Sequence, residues 1–379
     1  MKTLYRAVLA GAVGLTMANF SVSAYAAGQE IKVGVFNALT GATAFGGVPI
    51  QNAMRMALEE ANEHGLPGGA KFKIIEADNG SDKGQVINIV NQFATRDNVM
   101  LILGPTTSPE ALAGVPVANE HKVPMFSIGS ANAILEGGPW TYKVQSYADD
   151  IMGHMGKLLA EKLQVKRITL VYDQSNEGYI AQTNALRAHL EKEGVKIVSN
   201  EPILASDSNF LALSTKVSNQ ETDAVFMAVH PELAANIIIQ MRQAGLDPSV
   251  KFAGPSTLSS ESFIRTGGTA VEGAYIVSDY SPLNPSELNK EFIEGYKARY
   301  KTMPDNWAAM GYTLARLAVQ AVRNAGPDPD RERIRQEIGK LNNVPVVIGN
   351  GVWSVDENRH PSYGAALLMV KDGAFMLVP

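Results

Sequence analysis

The chain has 379 residues, 45% hydrophobic and 19% charged, with 33 basic and 38 acidic side chains and a formal charge of −5. That length supports about two hydrophobic cores, and the acidic balance argues against nucleic acid or an anionic membrane surface as the principal partner. The sequence holds no cysteine, which excludes disulfides, thiolate metal sites and cysteine nucleophiles.

Residues 1–26 read as a secretory signal peptide. Lys2 and Arg6 precede the apolar run 7–15, and Ala24 and Ala26 supply the small residues of a cleavage site before Ala27. The apolar run is short for a bilayer, and no later segment approaches about 18 consecutive apolar residues, so no membrane insertion is expected. Removing residues 1–26 takes away two basic side chains and no acid, moving the formal charge from −5 to −7. The expected location is the periplasm.

From residue 31 onward, apolar runs of strand type alternate with segments of helical period. The run "IKVGVF" precedes a pattern that puts Ile50, Ala53, Met54, Ala57, Leu58 and Ala61 on one face. There follow "FKIIEAD", a helix around "GQVINIVNQFA", "VMLILG", a helix from Pro109, and "VPMFSIG". Such alternation predicts right-handed crossovers and a mostly parallel sheet covered on both faces. A second series starts after residue 150, with strands at "RITLVYD", "VKIVS", "DAVFMAVH" and "KFAGPS" separated by helices. The fold class is therefore α/β, with two doubly wound parallel-sheet lobes. Two prolines near residues 281–285 and the long helices after them read as a return to the first lobe. The chain then ends in short strands with a hairpin turn at Lys371-Asp372-Gly373.

Catalytic motifs fail when examined. "GATAFGGV" (41–48) has the glycine spacing of a phosphate loop, but Gly47 and Val48 stand where Lys and Ser or Thr are required. Neither G-x-G-x-x-G nor G-x-S-x-G occurs, and the six histidines are scattered without a metal-ligand frame. No metal and no cofactor are expected. What recurs is a polar strand tip entering a helix: Thr106, Thr107 and Ser108 before Pro109, His230 before Pro231, and Ser256 after Pro255. A fourth tip, "FSIGSANA", ends a strand in small polar residues. Ser108 before Pro109 fits a helix N-cap; equally, an open helix start offers N–H groups and a positive dipole end to an anion. Ligands of open α/β sheets sit at the carboxyl ends of the strands, so four such tips together suggest a cleft between the lobes.

These residues resemble the leucine/isoleucine/valine-binding proteins of bacterial ABC importers. The resemblance rests on "IKVGVFNALTGATAFGGVPIQNAMRMALEEANEHG", "EADNGSDKGQVINIVNQF", "ILGPTTSPEALAGVPVANEHKVPMFSIGSA", "ITLVYDQSNEG" and "AVEGAYIVSDYSP", in order along nearly the whole mature chain. It implies the type I periplasmic binding fold, with lobes joined by three hinge crossings near 144–147, 277–279 and 348–351. Lobe 1 is then 27–145 plus 279–348, and lobe 2 is 146–278 plus 349–379. The lobes are expected to close on a small solute and present it to an ABC transporter membrane permease.

Residue by residue, the resemblance implies that Ser108 holds a ligand carboxylate by hydroxyl and N–H, that Gly129 adds main-chain groups, and that Phe45 covers the ligand side chain. Thr107 and Ser130 flank these positions. Ala131 replaces a threonine typical of amino-acid binders, for which Ser130 or Asn132 substitutes in part. Asn176 and His230 stand near family tyrosines. Ser256 stands where amino-acid binders place the glutamate that pairs with the ligand ammonium. An ammonium buried without a counter-charge costs several kcal/mol. The expected ligand is therefore a small organic acid with an apolar or aromatic body, whose far end meets His230, Asn176 or Tyr147. A branched-chain or other neutral amino acid is the alternative, if Glu261, Glu177 or Asp149 reaches the cleft. An enzyme is not expected, since Ser108 with His230 is the one nucleophile–base pairing and no acid is identified to orient it. A ligand sensor for a membrane receptor, or an amide binder, would use the same cleft.

Overall fold

The computed structural model describes residues 28–378; the expected signal peptide lies outside the described residues. The first sheet contains β1 (Glu30–Asn37), β2 (Lys71–Asp78), β3 (Leu101–Leu103), β4 (Met125–Ser127) and β5 (Thr141–Lys143). All pairs are parallel, in the order β2-β1-β3-β4-β5. Between these strands run α1 (Ala44–His64), α2 (Lys83–Thr95), α3 (Ser108–Glu120) and α4 (Ala133–Glu136). Val33, Val35, Leu101, Leu103 and Phe126 are wholly buried, as continuous apolar runs must be when helices cover both faces.

The second sheet repeats this order. It holds β6 (Arg167–Asp173), β7 (Lys196–Ile203), β8 (Ala224–Ala228), β9 (Lys251–Gly254) and β10 (Tyr275–Ser278). These run parallel as β7-β6-β8-β9-β10. Their helices are α5 (Ala148–Lys157), α6 (Glu177–Lys192), α7 (Leu211–Ser218), α8 (Pro231–Gln243) and α9 (Glu261–Gly267). In both sheets the chain reverses its direction of strand addition at the first strand, the switch point at which ligands gather.

After β10 the chain returns to the first sheet through α10 (Glu287–Tyr300), α11 (Asn306–Ala325) and α12 (Arg331–Ile338). Helix α11 packs along α1. The predicted face of α1, Ile50, Ala53, Met54, Ala57, Leu58 and Ala61, is buried in that contact and against β1. Three short strands, β11 (Val344–Pro345), β12 (Val352–Val355) and β13 (Pro361–Ser362), form a small antiparallel sheet. The chain then crosses again to add β14 (Ala366–Lys371) and β15 (Ala374–Leu377), antiparallel, at the edge of the second sheet. Asp372 and Gly373 both take positive φ, 54° and 70°, which is the two-residue turn the hairpin requires.

The three crossings are knotted at one buried residue. The Asp279 carbonyl accepts the Gly349 N–H at 2.7 Å. Its carboxyl accepts from the Tyr363 hydroxyl at 2.6 Å and from Gln145 Nε2 at 3.2 Å. Tyr363 in turn accepts the Ser146 N–H, and Trp353 Nε1 donates to the Val144 carbonyl. Burial pushes the Asp279 carboxyl above the usual range, its hydrogen bonds pulling the other way. No helix among the described residues is long and apolar enough to cross a membrane.

Candidate functional site

Both rims of the gap between the sheets are made of strand tips and helix starts. Phe45, Thr106, Thr107, Ser108, Ile128, Gly129, Ser130 and Trp307 line it from the first lobe. Asn176, Tyr179, Gln182, His230 and Thr257 line it from the second, and Gln145 lines it from a crossing. The cavity has about 410 Å³ of empty space including its mouth. The rims meet closely, since a Cβ on Gly178 of the second would lie 2.4 Å from Ser130 Oγ of the first.

At the first rim, Thr107 is the N-cap of α3 and Ser108 its first residue, with Pro109 behind it. The expected cap thus moves back by one residue. The Thr107 N–H donates to the Glu110 carboxylate, which also accepts from Thr43 Oγ1. With capping delegated in this way, the Ser108 hydroxyl is available to the cavity. Its oxygen accepts the Ala131 N–H at 3.0 Å and lies 3.5 Å from Ser130 Oγ, so its own proton can be donated to a ligand. Among the first residues of α3, Pro109 has no N–H and the Glu110 N–H is taken by the Thr107 side chain, which leaves the Ser108 N–H at the positive end of a 13-residue helix. Gly129 is obligatory at this joint, because a Cβ there would lie 2.9 Å from Ser108 Cα and 3.0 Å from Ser108 N.

The second rim is built from side chains. Asn176 caps α6 by accepting the Gly178 N–H at 2.9 Å. Tyr179 and Gln182 follow it at intervals of three, on the same face of the helix. The Tyr179 hydroxyl meets His230 Nδ1 at 3.1 Å. Burial lowers the pKa of His230 and raises that of Tyr179, so at neutral pH the pair is uncharged and offers hydrogen bonds only. Aromatic rings enclose the middle of the cavity. Phe45 stands edge-on to His230 at 5.3 Å and to Trp307 at 5.7 Å. Two lining side chains keep a buried polar atom without a partner among the described residues: Gln182 Oε1 and Trp307 Nε1.

The structure thus brings together Phe45, Thr107, Ser108, Gly129, Ser130, Asn176 and His230 around one cavity. Asn132, Tyr147 and Ser256 are not on its lining. Ser256 stands one layer behind, its Oγ accepting from Gln145 Nε2 at 3.2 Å. Asn132 accepts from Lys143 Nζ at 3.1 Å, and the Tyr147 ring lies under the same ammonium. Seven lining residues went unpredicted. Tyr179 and Gln182 had a usable signal in their helical spacing from Asn176, and Thr106 and Thr257 adjoin predicted positions. Ile128 adjoins Gly129 within the fourth tip. Gln145 and Trp307 have no local signal, since a hinge and a distant helix start bring them in. Among the described residues no cluster of three His, Asp or Glu is placed to hold a metal ion.

Two lobes of like strand order, joined by three crossings and meeting around a small cavity at their strand tips, form the type I periplasmic binding fold. A family model described as periplasmic binding protein matches residues 30–374. The Leu/Ile/Val-binding protein of Escherichia coli K12 is 25% identical over 354 residues, 92% of each chain. A leucine binding protein from Thermotoga maritima superposes with a TM-score of 0.86 at 24% identity, covering 92% of this chain and 98% of that one. A solute binding protein of an ABC transporter from Rhodopseudomonas palustris BisB5, solved with 3,4-dihydroxybenzoic acid, has a TM-score of 0.83 at 22% identity, covering 92% and 96%. The chain belongs to the periplasmic binding protein family, and the Leu/Ile/Val-binding proteins are among its relatives.

Proposed function

We propose that this protein is the periplasmic solute-binding component of an ABC importer and that its solute is a small organic acid, an aromatic or aliphatic carboxylate. One observation carries the choice of solute: none of the cavity's lining residues is Asp, Glu, Lys or Arg. A zwitterionic amino acid entering here brings an ammonium that meets no carboxylate. Glu261, Glu177 and Asp149 are not on the lining. Asp279, behind Gln145 and Ser256, has both carboxyl oxygens engaged by Tyr363 and Gln145, and burial favours its neutral form.

In this reading the carboxylate docks on the hydroxyl and the N–H of Ser108, at the start of α3, with Gly129 and Ser130 beside it. Charge-assisted hydrogen bonds of this kind contribute roughly 1.5–3 kcal/mol each, so three supply much of the ~8 kcal/mol of a micromolar complex. The ligand body lies among Phe45, Trp307 and His230. Its far end meets the neutral donors and acceptors of Tyr179, Gln182 and His230. Lobe closure then completes the site, and the closed form is what the permease receives.

A thermal-shift screen of benzoate, 4-hydroxybenzoate, hexanoate, benzamide and leucine tests this. A ligand at one hundred times its Kd stabilises the folded state by about 2.7 kcal/mol. The carboxylates are expected to raise Tm above the shift given by leucine and by benzamide. Leucine as the strongest hit overturns the choice of solute.

A further inference from the structure

Asn132 and Tyr147, which the cavity does not include, surround a different group. Lys143 closes β5 and is 1% exposed. Its ammonium donates to the Ser130 carbonyl at 2.7 Å, to Asn132 Oδ1 at 3.1 Å and to the Ser146 carbonyl at 3.5 Å. Nζ also stands 4.7 Å from the centre of the Tyr147 ring, whose edge meets His360. All three ammonium protons are thereby engaged by neutral oxygens. Among the described residues Lys143 makes no ion pair. Asp150 on α5 influences it from a distance, and Glu136, Asp356 and Arg359 act on neighbouring Tyr147.

A buried, unpaired cation is costly and is retained where something compensates it. Ser130 links this ammonium to the cavity, because it both accepts from Lys143 and lines the gap beside Ser108. We propose that Lys143 is the counter-charge of an anionic solute, acting through the Ser130 loop as a positioning residue, and that carboxylate binding is coupled to protonation of its amine. The proposal rests on the carboxylate reading of the cavity.

Burial pushes the Lys143 ammonium down to about 7 from an ordinary 10.5, with Asp150 opposing. The free protein thus holds this proton weakly near neutrality. An anion across the loop raises the pKa in the complex. The sign follows: the gain in affinity is complete below the free-state value and is lost as pH rises through the bound-state value. A one-unit difference gives a limit of about tenfold in Kd.

The test measures the Kd of 4-hydroxybenzoate by calorimetry from pH 6 to pH 9, in buffers of differing ionisation enthalpy. Affinity is expected to weaken up to about tenfold across this range, with net proton uptake near pH 7.5. His230 is held neutral by burial. Burial also raises Asp305, the N-cap of α11 two residues before Trp307, to about 7, so the arginine variant at 143 separates the two groups: a profile that stays sloped in it assigns the proton to Asp305 and overturns the role of Lys143. Lys143→Arg is expected to keep the low-pH affinity and flatten the profile, since guanidinium does not deprotonate here. Lys143→Met is expected to bind weakly at every pH. Should it fail to fold, the wild-type profile and the arginine variant decide the matter. Measurable wild-type binding with a flat profile and no proton uptake overturns the role of Lys143 while leaving the carboxylate reading in place. Failure of 4-hydroxybenzoate, benzoate and hexanoate to bind at all overturns that reading, and this proposal with it.

Discussion

The two rims of the cleft solve different problems with different materials. The first-lobe rim is main chain and hydroxyl: a helix start, Ser108 freed from capping by Thr107, and Gly129 pressed against it. The second-lobe rim is side chain: Asn176, Tyr179, Gln182, His230 and Thr257 reaching in from three tips. Backbone amides read charge and cannot be changed by substitution, whereas side chains read shape and hydrogen-bonding pattern and can be changed singly. The first rim is therefore suited to a group common to many solutes, and the second to what distinguishes one solute from another.

The contrast is most severely tested where the rims touch. Gly178 opens α6 on the second rim, and a Cβ there would lie 2.4 Å from Ser130 Oγ and 2.7 Å from Ser108 Oγ. Gly178→Val is expected to wedge the lobes apart, weakening ligand binding by about 100-fold or more, some 2.7 kcal/mol, while Tm of the free protein changes little. A variant that still closes in small-angle scattering with ligand present contradicts this contact. Next in size, Ser108→Ala removes a first-rim donor and leaves the Ala131 N–H without its acceptor. Affinity for every carboxylate should fall by about 1–3 kcal/mol without reordering the solutes, as titration of several acids would reveal. The smallest effect belongs to the second rim. Tyr179→Phe breaks the bond to His230 Nδ1 and should cost ~0.5–1.5 kcal/mol for solutes with a polar far end, leaving benzoate nearly unaffected. Equal losses for 4-hydroxybenzoate and benzoate would show that the second rim does not discriminate in this way.

Periodicity made the fold legible. The buried face of α1, the parallel order implied by alternating strands and helices, and the Asp372-Gly373 turn are each set by neighbours within a few residues. The site was legible where its residues sit at strand tips, because chain order alone puts those tips at one end of a parallel sheet. Thus Ser108, Gly129 and His230 were legible at the ends of apolar runs, whereas Asn176 came from the family resemblance alone.

Tips alone could not tell which side chains face the gap. Tyr147 and Asn132 are beside the site in sequence, yet they turn to Lys143, whose buried ammonium takes Asn132 Oδ1 as an acceptor beside two carbonyls and the Tyr147 ring as its π face. Ser256 likewise turns to Gln145 and the hinge. Trp307 arrives from a helix start that only the return crossing carries to the first lobe. Local pattern by itself determined the alternation of strands and helices, the parallel character of the two lobes and the polar character of their tips, since these depend on short-range periodicity and steric preference. Which polar groups face a solute, and which satisfy the protein's own buried charges, was decided only when three distant crossings folded together. That choice is a competition for hydrogen bonds among groups far apart in the chain.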